Sequence, residues 1–294
     1  MTEQISVRKL IILLSGAILF ISCRKEEKWT NLIDKSLSNW DNYLSYRHRS
    51  GYNGSVPKDT NGIEIAPIGY NKPGYDVFSV IEENNEPVIR ISGEIYGCLI
   101  SKEEYSNYHL KLKVKWGEKK WDPRKQLLKD SGILYHSIGP IGEDYWRSWM
   151  LSQEFQIMEG HMGDFWSQKM SAIDIRAYIP ESVMNAAADE TRPFIPFGYK
   201  GKAGFCMRSA NYEIPDSWND IDLICFNGKS LHIVNGHVVM ILQNSRHFEN
   251  GGFLPLVKGK IQIQSEAAEV FYKDIKIRKL DKFPEKYEKY FRQL

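Results

Sequence analysis

Trp218-Asn219-Asp220-Ile221-Asp222-Leu223-Ile224-Cys225-Phe226-Asn227-Gly228-Lys229-Ser230-Leu231-His232-Ile233-Val234-Asn235-Gly236-His237-Val238-Val239-Met240-Ile241-Leu242 holds three apolar runs separated by two Asn-Gly pairs. Asn-Gly accepts positive φ at both central positions of a type I′ turn, the two-residue turn whose twist matches flanking antiparallel strands. Each pair between apolar runs therefore predicts a hairpin, and two in succession predict an antiparallel meander.

The pattern extends in both directions. Downstream, Gly259 to Glu266 and Ala268 to Arg278 alternate apolar and polar residues, and a charged tail follows, helical from Glu285. Upstream, Val77 to Glu82, Val88 to Ser92, Gly97 to Ser101 and Tyr108 to Trp116 are rich in β-branched and aromatic residues. His109 to Trp116 alternates strictly, which turns Leu110, Leu112, Val114 and Trp116 to a core and His109, Lys111, Lys113 and Lys115 away from it. Lys115 sits near the strand end beside the Gly117 to Lys129 loop, where it could reach a site. Tyr43 to Asp76 carries Gly or Pro every few residues and reads as loops with short edge strands, its tyrosines suited to a site wall. Ser167 to Tyr212 reads as irregular, with one helical turn around Glu181 to Asp189. About a dozen short strands and no long helix predict an all-β fold, a jelly-roll sandwich of two antiparallel sheets, with a barrel as the alternative.

The chain has 294 residues, 42% hydrophobic and 26% charged, enough for one large all-β domain or two smaller ones. Its 39 basic and 37 acidic residues nearly cancel, which argues against a nucleic-acid partner. Arg8-Lys9 precedes an apolar run from Leu10 to Ile21, too short to span a bilayer and shaped like a signal peptide. The ending Phe20-Ile21-Ser22-Cys23 resembles a bacterial lipobox. The expected organisation is a lipoprotein signal peptide over 1–22, a lipidated Cys23 opening a tether over 23–28, one domain over 29–280 and a charged tail over 281–294. That describes a cell-envelope lipoprotein, periplasmic or outer-membrane anchored, held to the membrane by its lipid. Of Cys98, Cys206 and Cys225 at most one pair can form a disulfide, and no zinc-site spacing occurs.

The chemistry concentrates in Gln153-Glu154-Phe155-Gln156-Ile157-Met158-Glu159-Gly160-His161-Met162-Gly163-Asp164-Phe165-Trp166. Strand parity puts Glu154, Gln156 and Met158 on one face and Phe155 and Ile157 on the other. The loop beyond adds Glu159, His161, Asp164 and Trp166, and loops at strand ends commonly carry binding and catalytic groups. Asp130 to Ser137 precedes it, where Gly132 suggests close backbone approach or a bulge and His136 ends a short strand.

Asn31 to Trp40, Tyr108 to Trp116, Asp130-Ser131-Gly132-Ile133-Leu134-Tyr135, Glu154-Phe155-Gln156-Ile157, Trp218-Asn219, Asn235-Gly236 and Gln264-Ser265-Glu266, in that order, resemble the 3-keto-disaccharide hydrolase family. The resemblance spans nearly the whole mature chain. It implies a concanavalin A-like jelly roll and action on glycosides whose C3 hydroxyl has been oxidised to a ketone, hence a carbohydrate substrate and functional pairing with a sugar 3-oxidoreductase. Many relatives have Asn at the place of Asp130 and Gln-Asp-His-Gly at the place of Gln264-Ser265-Glu266-Ala267, so this chain resembles a Glu-type subgroup.

A C3 ketone acidifies the C2 hydrogen, so a base can form an enediolate and the C1 substituent can leave by elimination before water adds. The route needs a base, an oxyanion stabiliser and an acid. Glu154 or His136 is the expected base, Lys115 or a bound divalent metal cation the stabiliser, and Glu159 or Glu266 the acid. Gln156, Asp130 and Asp164 are expected to position the sugar and Trp166 to stack on it. Two other readings stay open: direct hydrolysis of unoxidised glycosides by Glu154 with Glu159 or Glu266, and a non-catalytic glycan-binding lipoprotein.

Overall fold

A computed structural model describes residues 28–51, 53–143, 148–180 and 185–292. The expected signal peptide, Cys23 and all but the last residue of the tether lie outside the described residues. Among the described residues no helix is long and apolar enough to cross a membrane.

The meander forms as the Asn-Gly pairs require. Asn227 and Gly228 have φ of 51° and 76°, and Asn235 and Gly236 have 49° and 82°, both central residues of each turn being left-handed. They join strands Asn219–Phe226, Lys229–Val234 and His237–Glu249, paired antiparallel in that order. The Asn235 side chain fastens its turn to neighbouring segments: Oδ1 accepts from the Asp220 N–H, and Nδ2 donates to the Tyr212 carbonyl, each at 2.8 Å.

Around this meander one sheet runs Phe78–Glu83, Glu86–Ile91, Ala268–Lys279, Tyr108–Lys120, then the three meander strands, Ser171–Tyr178 and Phe194–Gly198. The facing sheet runs Gly69–Tyr70, Trp40–Arg47, Ile95–Ser101, Lys260–Ser265, Asp130–Ile138, Leu151–Met158, Phe165–Gln168, Phe205–Met207 and Ala186–Ala188. All these pairings are antiparallel except the last, and Ala177 and Tyr178 pair with Ala188 and Ala187 to join the sheets at one edge. The result is the expected all-β jelly-roll sandwich.

The main core lies between the sheets because alternation sends one side of each strand inward. Leu110, Leu112, Val114, Ile221, Leu223, Val270 and Tyr272 meet Leu44, Leu99, Ile133, Tyr135, Phe155, Ile157 and Ile263, all buried. Trp116 is partly buried against this core, and Lys111, Lys113 and Lys115 stand on the opposite side of their strand. Cys98, Cys206 and Cys225 are buried free thiols, so no disulfide links them.

The Ser167 to Tyr212 segment corrects the sequence reading. It supplies strands Ser171–Tyr178, Ala186–Ala188, Phe194–Gly198 and Phe205–Met207. Of the expected helical turn, 181–184 lies outside the described residues and 186–188 is extended. Three of these strands are five residues or shorter and are held by long-range pairing, which local periodicity does not register. The tail forms a 3-10 helix over Glu285–Phe291.

Candidate active site

The outer face of the second sheet carries polar side chains that are nonetheless buried. Glu154 is 2% exposed and Gln156 is 5% exposed, while Phe155 and Ile157 between them are fully buried in the sandwich core. The parity read from the sequence therefore holds, and the polar face is enclosed. Its cover is a small apolar cluster of Tyr43, Cys98, Ile100 and Leu134 from the sheet, overlaid by Trp149 and Met150. Gln262 anchors that cover by accepting the Met150 N–H at 3.1 Å.

Beside the cover is a cavity of about 250 Å³ lined by Arg124, Asp130, Trp149, Glu154, Gln156, Met158, Trp166, Gln168, Gln264 and Glu266. Its floor depends on Gly132, which pairs with Gln156 across the ladder. A Cβ there would overlap the Glu154 and Gln264 Oε1 atoms, so glycine is what lets these two side chains converge. Trp166 pairs directly with Glu154 on the neighbouring strand, is 40% exposed and leans on Phe205 at 4.7 Å, giving an open ring at the rim. Gln168, on the same strand, donates from Nε2 to Glu154 Oε2 at 2.5 Å.

Asp130 and Glu266 meet across an isolated bridge, and one guanidinium serves both. Arg124 Nη2 pairs with Asp130 Oδ2 and lies 3.1 Å from Glu266 Oε1. Burial pushes the Asp130 carboxyl well above the ordinary carboxylate range and the Glu266 charge adds to it, with Arg124 opposing. Burial and the neighbouring Glu266 charge thus favour the protonated form of Asp130. Burial opposes the Arg124 charge, but Asp130 and Glu266 outweigh it and raise its pKa. Asp130 Oδ1, Gln156 Oε1 and Gln264 Oε1 are buried without a hydrogen-bond partner. Unpaired buried oxygens are rare in folded proteins, and three around one cavity suit a ligand rich in hydroxyl groups.

His48 supports the Glu266 position. Its Nε2 accepts the Ala267 N–H at 2.9 Å, fixing the residue after Glu266 at a φ of 58°. Burial, aided by the Arg124 charge, holds its pKa down at about 3, so the ring is the neutral acceptor this bond needs.

The structure thus brings together Glu154, Gln156, Asp130, Trp166 and Glu266 from the sequence-derived set, and adds Arg124, Gln168, Trp149 and Gln264. It does not bring the others into the cavity. His136 follows strand parity only up to Tyr135; a register shift and its own φ of 53° turn the ring into contact with Tyr108 and Tyr135. Burial there lowers its pKa to about 4. Lys115 lies on the outer face of the other sheet, 3.5 Å from Glu83 and over the Trp218 ring. Glu159 pairs with Lys129 at 3.6 Å, and Asp164 is buried against Arg208 at 3.0 Å and His161 at 3.2 Å. Arg124 was illegible because it reaches the site from a 3-10 turn, Arg124–Gln126, inside a loop without periodicity. Among the described residues no group of three or more His, Cys, Asp or Glu side chains is arranged to hold a metal ion, and a guanidinium takes the cationic place between Asp130 and Glu266.

Among solved structures the chain is similar to a protein from Parabacteroides distasonis ATCC 8503 provisionally named a glycosyl hydrolase, at 17% identity over 86% of this chain and 100% of the other, with a TM-score of 0.42. It is also similar to a Bacillus subtilis protein of unknown function with a galectin-like fold, at 11% identity over 86% and 94%, TM-score 0.42. A third is the carbohydrate binding module CBM66 from Bacillus subtilis, at 7% identity over 68% and 91%, TM-score 0.38. No curated protein matches the sequence. Residues 28–278 match the family model of the 3-keto-alpha-glucoside-1,2-lyase-like domain, and this glycan-acting chain belongs to that family.

Proposed function

We propose that the chain cleaves 3-keto-glycosides by removing the C2 proton and expelling the C1 substituent. The observation that carries this reading is the convergence in one cavity of Glu154, the Arg124-bridged Asp130–Glu266 pair and the open Trp166 ring. Glu154, oriented by Gln168, is the base. The C2–H bond breaks, its proton passes to Glu154, and the electron pair is delocalised onto the ketone oxygen as an enediolate. Arg124, charged and largely desolvated, stabilises that oxyanion where water would otherwise screen it. The C1–O bond then breaks as the C1–C2 double bond forms, and Asp130 delivers its proton to the departing oxygen. Water adding across the double bond completes hydrolysis. Gln156 and Gln264 accept sugar hydroxyls and Trp166 stacks on the ring.

With Lys115 on the other sheet, Arg124 takes over the oxyanion role expected for a lysine or a cation. Because the substrate is a ketone, an oxidation of the C3 hydroxyl must precede this reaction, which supports pairing with a sugar 3-oxidoreductase. The test is release of aglycone from a 3-keto-glucoside and from its parent glucoside, with and without chelator. Release from the keto form alone, insensitive to chelation and abolished in Glu154→Gln, is expected. Equal release from both glucosides would overturn the elimination route; release from neither, with glycan affinity retained in Glu154→Gln, would make the chain a binding protein.

A further inference from the structure

A second cavity, about 520 Å³, shares no lining residue with the catalytic one. It forms where the end of Ser171–Tyr178, the 188–190 and 209–212 segments and the start of His237–Glu249 meet, beside Tyr290 of the C-terminal 3-10 helix. The Ala186–Ala188 strand leading into it is three strand spacings from the Glu154 strand, roughly 14 Å.

Two of its tyrosines, Tyr178 and Tyr212, are each 39% exposed. Both rings are held in place. Tyr212 stacks on His237 at 3.8 Å and 4°, and its carbonyl accepts Asn235 Nδ2 at 2.8 Å. Tyr178 rests against the Arg192 guanidinium at 5.3 Å. Such rings offer apolar faces at little ordering cost on binding. Glu190 supplies a carboxylate at the wall, beside Asp189, whose Oδ1 accepts from the Thr191 N–H and hydroxyl at 2.9 and 2.7 Å and whose Oδ2 lies 3.4 Å from Arg192 Nε. The Arg176 guanidinium is committed to the fold: Nε, Nη1 and Nη2 donate to the carbonyls of Tyr290 at 2.9 Å, Arg192 at 2.8 Å and Arg292 at 2.5 Å. An anion would meet two carboxylates and a cation already engaged on all three nitrogens. A neutral polyhydroxylated ring finds what it needs, acceptors for its hydroxyls and flat rings for its C–H face.

We propose that this cavity binds neutral saccharide, as a site separate from the catalytic one that holds glycan at the sheet edge. The proposal rests on the family's action on glycans and on these side chains, and does not depend on the elimination chemistry. Calorimetric titration of the purified protein with maltohexaose, cellohexaose and laminarihexaose, and with hexagalacturonate as the anionic counterpart, tests it. At least one neutral hexasaccharide is expected to bind wild type and Glu154→Gln alike and to lose about tenfold in affinity in Tyr212→Ala and in Tyr178→Ala. Tyr212→Phe should retain affinity, and turnover of a small 3-keto-glucoside should be unchanged in all three tyrosine variants. The two alanine variants act on separate walls, so if one fails to fold the other still decides. No binding of any neutral hexasaccharide, binding indifferent to both alanines, or preference for hexagalacturonate would overturn the proposal.

Discussion

Gly132 shows how one residue sets the geometry of the candidate site. Its missing side chain is the space in which the Glu154 and Gln264 oxygens converge, and its backbone lies in a central strand of the sheet. In Gly132→Ala the methyl group must displace one of those side chains rather than the ladder. The expected result is at least a tenfold loss of turnover, from a misplaced reacting group, with a melting temperature close to wild type; an alanine variant of normal activity would remove Glu154 from the role given to it. Asp130 makes a second prediction, concerning pH. Its folded-state pKa is raised above the ordinary 3.8, so the stability associated with its proton is fully present below that value and is lost as pH rises toward the folded pKa. Asp130→Asn removes this dependence. The melting temperature of the variant relative to wild type should therefore climb as pH increases from about 4 to neutrality, and a constant difference would contradict the buried, protonated assignment.

At the scale of elements, the meander and the site strand were legible because their signals are local. Asn-Gly demands positive φ at both positions, and Glu154 and Gln156 needed only strand parity to be placed on one face. Gly236 isolates the first effect: an added Cβ would meet nothing within 4 Å, so substitution is opposed only by its φ of 82°. Gly236→Ala should cost about 1–2 kcal/mol in urea-induced unfolding with no change in activity. The strands between 171 and 207 were not legible because partners distant in sequence hold them. His136 and Arg124 failed for a related reason. A register shift overrode parity for the first, and the second enters the cavity from a loop whose end point only the folded chain specifies. Lys115 was correctly assigned to the outward side of its strand, but that side belongs to the other sheet.

For the whole molecule, the sandwich separates two uses of buried polarity. Within the core and strand ends, His48, His136 and His232 are held neutral by burial at pKa values of about 3, 4 and 3, against an ordinary value of 6.5. A depressed folded pKa gives stability that is present above 6.5 and lost as pH falls. Three histidines outnumber the two opposing carboxyls raised by burial, Asp130 and Glu213, so the melting temperature should fall between about pH 6.5 and pH 4; a flat profile across that interval would show that these rings are not buried as described. On the outer face of the second sheet, by contrast, buried polarity is gathered around one opening and left partly unpaired. There Glu154 is set to take a proton and the Asp130–Glu266 pair to give one. The most direct measurement is the rate of aglycone release from a 3-keto-glucoside carrying deuterium at C2, against its protiated form. A primary isotope effect on kcat/KM, lost together with turnover in Glu154→Gln, is the predicted result; equal rates for the two isotopologues, with the C2 deuterium never exchanged for solvent hydrogen in recovered substrate or product, would contradict removal of the C2 proton.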